Sequence, residues 1–142
     1  MKEAVRVRMK SRQTLAERTR SEEPIEVTVS GTCSEEKGDL VILFEEGSKE
    51  QGSDVSNRLV IGENSVEVHK TGQIRSHMRF EKGKSHPTDY ITPFGVMRMA
   101  VKTEELLMRR WENRLILHIA YALYVEEEHA ADCVMDIRIE DE

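Results

Sequence analysis

At 142 residues, 38% of them hydrophobic and 34% charged, the chain has the length of one domain, 1–142, that can bury a core without disulfides or metals. A formal net charge of −6 argues against a general phosphate-backbone binder, so no nucleic acid is expected as a partner. No segment has the apolar length of a membrane span, the opening MKEAVRVRMKSRQ has no apolar signal core, and Cys33 and Cys133 stand outside any C-x-x-C pattern, so a cytoplasmic protein with reduced thiols and no membrane partner is expected.

Residues 4–13 alternate Val5, Val7, Met9 and Ser11 with Arg6, Arg8, Lys10 and Arg12, which predicts a half-buried strand with a basic outer face. Residues 14–23 are polar and charged and read as a loop or a frayed helical turn. Pro24 opens a second strand carrying Ile25, Val27 and Val29, and Gly31 together with residues 34–38 marks the next turn region. The continuous run Leu40-Val41-Ile42-Leu43-Phe44 predicts a strand covered on both faces for part of its length. Residues 45–56 form a polar loop expected to be mobile. Residues 57–61 are a short strand, and Gly62-Glu63-Asn64 turns it into a strand over 65–70.

Parity constrains the next hairpin. For Val66 and Val68 to share a side with Ser76 and Met78 the loop must have odd length, so Thr71-Gly72-Gln73 is read as the turn. That register sets Glu67 opposite His77 and His69 opposite Arg75 on the outer face. In residues 74–81, Ile74, Ser76, Met78 and Phe80 alternate with charged or polar partners. Thr92-Pro93-Phe94-Gly95 is a type I turn signature, with a bulge expected at Gly95 and no register assigned across it. Met97, Met99 and Val101 then alternate with Arg98, Ala100 and Lys102.

The runs Met78-Arg79-Phe80-Glu81-Lys82-Gly83, Tyr90-Ile91-Thr92-Pro93-Phe94-Gly95 and Met97-Arg98-Met99 resemble a family of small bacterial proteins, the YwiB-like family. Ile91 departs from the pattern, which has a polar residue there. The resemblance implies a single antiparallel calycin-like (lipocalin-like) β-barrel of unassigned function and transfers no catalytic or binding residues.

Read alone, residues 103–133 suit a long helix as well as strands. Leu115, Leu117, Ile119, Tyr121 and Leu123 keep period two, Asn113 sits at a natural hairpin turn, and Cys133, Met135, Ile137 and Ile139 repeat the alternation. The resemblance favours strands. The fold expected is therefore all-β, an antiparallel barrel of about nine or ten strands. The basic outer face of 5–13 and the acidic residues Asp132, Asp136 and Glu140 suggest that the first and last strands pair and close the sheet.

For chemistry the chain is poorly equipped. It has no G-x-S-x-G, no convincing Cys–His–acid set and no phosphate-cradling glycine loop, so an enzyme and a cofactor are not expected. His69 and His77 could approach across the hairpin and hold a metal with Glu67, but the parity register puts each opposite a different residue, so solvated surface roles are expected and no metal. Met9, Met78, Met97, Met99 and Met135 all fall on the apolar phase of their strands, and Tyr121 joins them. In a barrel of this size they either fill the core or line a cavity for one small, mostly apolar ligand. The opposite phase of the 114–124 strand, Ile116, His118, Ala120, Ala122 and Tyr124, carries no acidic residue, lysine or arginine. It needs a cover, which could be part of the same chain or a second copy in a homodimer, with Trp111 nearby as an anchor. Ligand binding in the interior is the leading expectation, an interaction module the second, and an enzyme the third.

Overall fold

The computed structural model describes residues 1–17, 20–47 and 54–142. The strands in chain order are β1 Ala4–Leu15, β2 Arg20–Ser21, β3 Ile25–Glu36, β4 Asp39–Glu46, β5 Val55–Ile61, β6 Val66–Gly72, β7 Ser76–Phe80, β8 Ser85–Thr92, β9 Gly95–Arg110, β10 Arg114–Val125 and β11 Glu128–Asp141. Ten of them follow one antiparallel path, β7-β6-β5-β4-β3-β1-β11-β10-β9-β8, and the short β2 hangs on β1. The two ends of the path come together, joined by a bridge in which Arg75 and Ile91 exchange both backbone hydrogen bonds at 2.9 Å. The result is a nearly closed all-β barrel. Among the described residues no helix is long and apolar enough to cross a membrane.

The seam between β7 and β8 stays open for a local reason. Thr92 and Gly95 close the β8–β9 hairpin, so the backbone groups of Thr92, Tyr90, Thr88 and His86 serve β9, and those of Ile91, Asp89 and Pro87 point to β7. Pro87 has no N–H to offer there, and the N–H of His77 instead donates to the Thr88 hydroxyl at 3.2 Å. Ile91, the residue that departs from the family pattern, supplies its backbone to the bridge, while its exposed side chain looks outward.

The first and last strands pair as expected, from Val5 opposite Asp141 to Leu15 opposite Ala131, but they do so inside the path, and the sheet closes between β7 and β8 instead. Arg6 stands opposite Glu140 and Lys10 opposite Asp136. Their ion pairs go elsewhere, however: Lys10 meets Glu26 at 3.7 Å, Glu140 meets Arg138, and Asp136 meets His118. The complementary charges thus face each other across the ladder without direct contact.

Several local expectations are corrected. β1 runs through Leu15, and Arg20–Ser21 pairs back onto Thr14 and Leu15, where a loop or helical turn was predicted. β3 continues past Gly31 to Glu36, and the turn is Lys37-Gly38, both at positive φ. Gly31 is needed inside the strand because a Cβ there would come 2.7 Å from the Leu43 carbonyl oxygen. Of the predicted loop 45–56, Glu45 and Glu46 belong to β4 and Val55 and Ser56 to β5, and residues 48–53 lie outside the described residues. The β8–β9 ladder is unbroken from Thr92 opposite Gly95 to Ser85 opposite Lys102, so there is no bulge at Gly95, whose φ of 137° is open to glycine alone.

The β6–β7 hairpin keeps the predicted faces but not the predicted register. Lys70 pairs with Ser76, so five residues lie between the last paired positions rather than three, and every pairing moves by two. His69 stands opposite His77, and Glu67 opposite Arg79.

β9 and β10 resolve the helix-or-strand ambiguity as strands, with Asn113 in the connecting turn. A bulge at Glu104 breaks the alternation: Thr103 pairs with Tyr121 and Glu105 with Ala120. Before it Met99, Val101 and Thr103 are buried; after it Leu106 and Met108 turn inward.

One end of the barrel is solid. Val5, Val7, Ile42, Leu59, Val66, Phe80, Val101, Leu115, Leu117, Ile119, Ile137 and Ile139 are fully buried there. Val41, on the outward phase of β4, is buried as well, so that strand is covered on both faces over Leu40, Val41 and Ile42. At about 25 cal/mol per Å² of apolar area removed from water, this cluster supplies most of the fold's driving force.

Candidate functional site

At the other end the same inward phase meets empty space. Met9 on β1, Met78 on β7, Met97 and Met99 on β9, Tyr121 on β10 and Met135 on β11 all line one interior cavity of about 500 Å³. The six candidates named from strand phase are therefore brought together. Met99 is buried and Met97 is 42% exposed near the mouth, and the other four are half-buried although they point inward. Inward-facing side chains that no neighbour covers are what a hollow interior leaves. Methionine suits such a wall, because an unbranched, polarisable thioether adjusts to differently shaped contents at little cost.

Aromatic rings set the floor and one wall. Phe80, fully buried, meets Tyr121 with ring centroids 4.9 Å apart at 58°. Burial pushes the Tyr121 hydroxyl far above its ordinary value, and Cys133 beside it adds to the shift. Tyr121 therefore stays a neutral donor or acceptor.

Sequence phase did not single out a polar corner on the opposite wall. Glu46, Asn57 and Lys70 occupy inward positions on the adjacent strands β4, β5 and β6 and line the cavity. The Lys70 ammonium donates to Asn57 Oδ1 at 2.9 Å and pairs with Glu46 Oε1 at 3.0 Å. Asn57 is 2% exposed, and its Nδ2 has no partner among the described residues. A buried amide donor without an acceptor costs roughly 1–3 kcal/mol, so this atom calls for a water or a ligand oxygen. The signal was in the sequence: Asn57 keeps the buried parity of Leu59 and Ile61, where an apolar residue is the default.

The candidate interface residues lie on the outer face of β10. Ile116, His118, Ala120 and Tyr124 are half-buried within the single chain, and Ala122 is 4% exposed. Their register neighbours supply much of the cover: Arg109 and Arg138 flank Ile116, Lys102 and Asp132 flank Ala122, and the Tyr124 ring packs on His129 at 5.5 Å. Leu107, opposite His118, is 59% exposed. His118 meets Asp136 Oδ1 through Nδ1 at 2.6 Å and Glu105 through Nε2 at 3.3 Å. The hydrogen bond to Asp136 raises its pKa above the ordinary value and outweighs burial, so its surroundings favour the protonated ring.

The model of a family described as a domain of unknown function, DUF1934, matches residues 7–137. Among solved structures, the ywiB protein from Bacillus subtilis superposes with a TM-score of 0.81 at 20% identity, covering 100% of this chain and 95% of that one. At that identity the likeness concerns the fold. No curated protein matches the chain.

Proposed function

The chain belongs to the DUF1934 family, and from the hollow half of its barrel we propose that it is a non-catalytic cytoplasmic protein that binds one small, mostly apolar molecule in the barrel interior. The single observation that carries this reading is the cavity of about 500 Å³ lined by five methionines and Tyr121. A volume of that order suits a drug-sized molecule. The unpartnered Asn57 Nδ2 adds a requirement: the ligand presents one hydrogen-bond acceptor to the corner formed by Asn57 and Lys70. Apolar area would supply most of the affinity and the acceptor would fix the orientation.

The test is a titration with an apolar fluorescent probe. Wild-type chain binds it saturably, and Met97→Trp or Met99→Trp abolishes binding with the circular dichroism spectrum intact. Absence of saturable binding by wild-type protein sinks the reading.

A homodimer through the outer face of β10 is the second reading, supported by exposed Leu107 beside half-buried Ile116. Ala122 is too deeply covered to serve as its probe, so the informative change is Ala120→Glu. A wild-type dimer that sediments as a folded monomer after this change supports the reading, and a wild-type monomer at high concentration removes it.

A further inference from the structure

We propose that Glu67, His69 and His77 form a binding site for a divalent transition-metal ion of the zinc class, on the outer face of the barrel beside the β7–β8 seam. The site follows from the register of one hairpin. His69 on β6 stands directly opposite His77 on β7, and Glu67, two residues before His69, shares their face. The two imidazole rings stack with centroids 3.9 Å apart at 20°. Both Nε2 atoms approach one carboxylate oxygen: Glu67 Oε1 lies 2.7 Å from His77 Nε2 and 3.9 Å from His69 Nε2.

These distances suit a shared ion. Donors held about 2.1 Å from a tetrahedral zinc stand about 3.4 Å from each other, and the two observed separations bracket that value. All three ligand atoms lie within 4.8 Å of one another. The widest pair would have to close by at most about 1.4 Å, and one imidazole would have to turn out of the stack so that its in-plane lone pair meets the ion, a side-chain adjustment on a half-exposed face. Two imidazoles and a carboxylate are a donor set that zinc accepts while keeping a further position open. His69 and His77 also line a recess of about 600 Å³ at the seam, bounded across the gap by Thr88 and Asp89 of β8, so the remaining position is within reach of solvent.

Neighbouring cations lower the affinity without occupying the site. Arg79 Nη1 lies 3.4 Å from Glu67 Oε1, but its closer contact is Nε to Glu81 Oε1 at 2.7 Å, a partner it keeps when a metal takes Glu67. Arg58, a cation near His69, is paired with Glu36 at 2.6 Å. The remaining histidine contacts among the described residues lack the convergence. His118 meets two carboxylates through opposite ring nitrogens, and His86 and His129 each meet one.

The three side chains point away from the interior, so this site stands or falls independently of the cavity. The test is calorimetric titration of the full chain with zinc(II), together with the absorption spectrum of the cobalt(II) form. Wild-type chain takes up one zinc and gives cobalt bands of nitrogen and oxygen ligation. His69→Gln, His77→Gln and Glu67→Gln each weaken zinc at least about tenfold, whereas His118→Gln leaves it unchanged. Zinc also raises the melting temperature of wild-type chain and not that of His77→Gln. No zinc uptake below millimolar concentration, or equal losses in His77→Gln and His118→Gln, would overturn the proposal.

Discussion

The two halves of the barrel are built from the same strands and the same alternation, yet one is solid and the other hollow. At the solid end the inward positions carry branched residues, Val5, Val7, Val66, Leu115, Leu117, Ile119 and Ile139, each with no exposed surface. At the hollow end the same strands carry Met9, Met97, Met99, Tyr121 and Met135, with Glu46, Asn57 and Lys70 opposite. Branched side chains have few rotamers and interlock, whereas methionines and a polar trio leave space and tolerate varied contents. On the proposed reading stability and binding fall to different ends of one sheet, so that the end offered to a ligand can be soft without unfolding the whole.

The largest expected effect lies at the solid end. Leu117→Ala should cost about 2–5 kcal/mol, because it opens a void in close-packed surroundings. Met135→Ala, one strand away at the hollow end, should cost only about 1 kcal/mol, since the space beside it already exists. Urea unfolding of the two variants measures the contrast, and equal losses would erase the distinction between the halves. The next effect belongs to the turn at the cavity mouth, where Glu126 and Glu127 hold φ of 49° and 71°. Glu126 is strapped to Arg98 by its own backbone and side chain, whereas Glu127 completes the two-residue turn between Val125 and Glu128 in a left-handed conformation that glycine adopts at less cost. Glu127→Gly should therefore stabilise the chain by about 1 kcal/mol, read as a raised urea midpoint. The smallest effect is on the outer wall of the solid half. The pKa of His118 is raised in the folded chain by Asp136 first and Glu105 after it, so its contribution is fully present below the ordinary histidine range and lost as pH rises through the folded value. Wild-type chain should lose a little stability over that window, and His118→Gln should show none of that change.

Much of this was legible in the sequence because period two survives wherever one face is wet. The strand phase of Met9, Met78, Met97, Met99 and Met135 was enough to place them on the inner wall of the barrel. It could not say that the wall encloses space, since volume depends on how ten strands curve together. Two other features escaped for identifiable reasons. Parity admits three or five residues between the last paired positions of β6 and β7, and the longer span goes with Thr71 and Gly72 continuing β6 against Ser56 and Val55 on β5. That shift of two is what sets His69 opposite His77. At Glu104 the bulge moves the inward phase from odd to even residues, so Leu106-Leu107-Met108 reads locally like a helix although it is a strand. The fate of Ala122 was hidden likewise, because its cover comes from Lys102 and Asp132 on two other strands.

If the methionine-lined end is a ligand-sized interior rather than a core that closes in solution, it must take up an apolar probe. Saturation of the full chain with N-phenyl-1-naphthylamine tests it most directly. The expected result is one saturable site per chain with a blue-shifted, enhanced emission, abolished in a folded Met99→Trp variant. Saturable binding of equal strength in Met99→Trp, or none in wild-type chain, would contradict it.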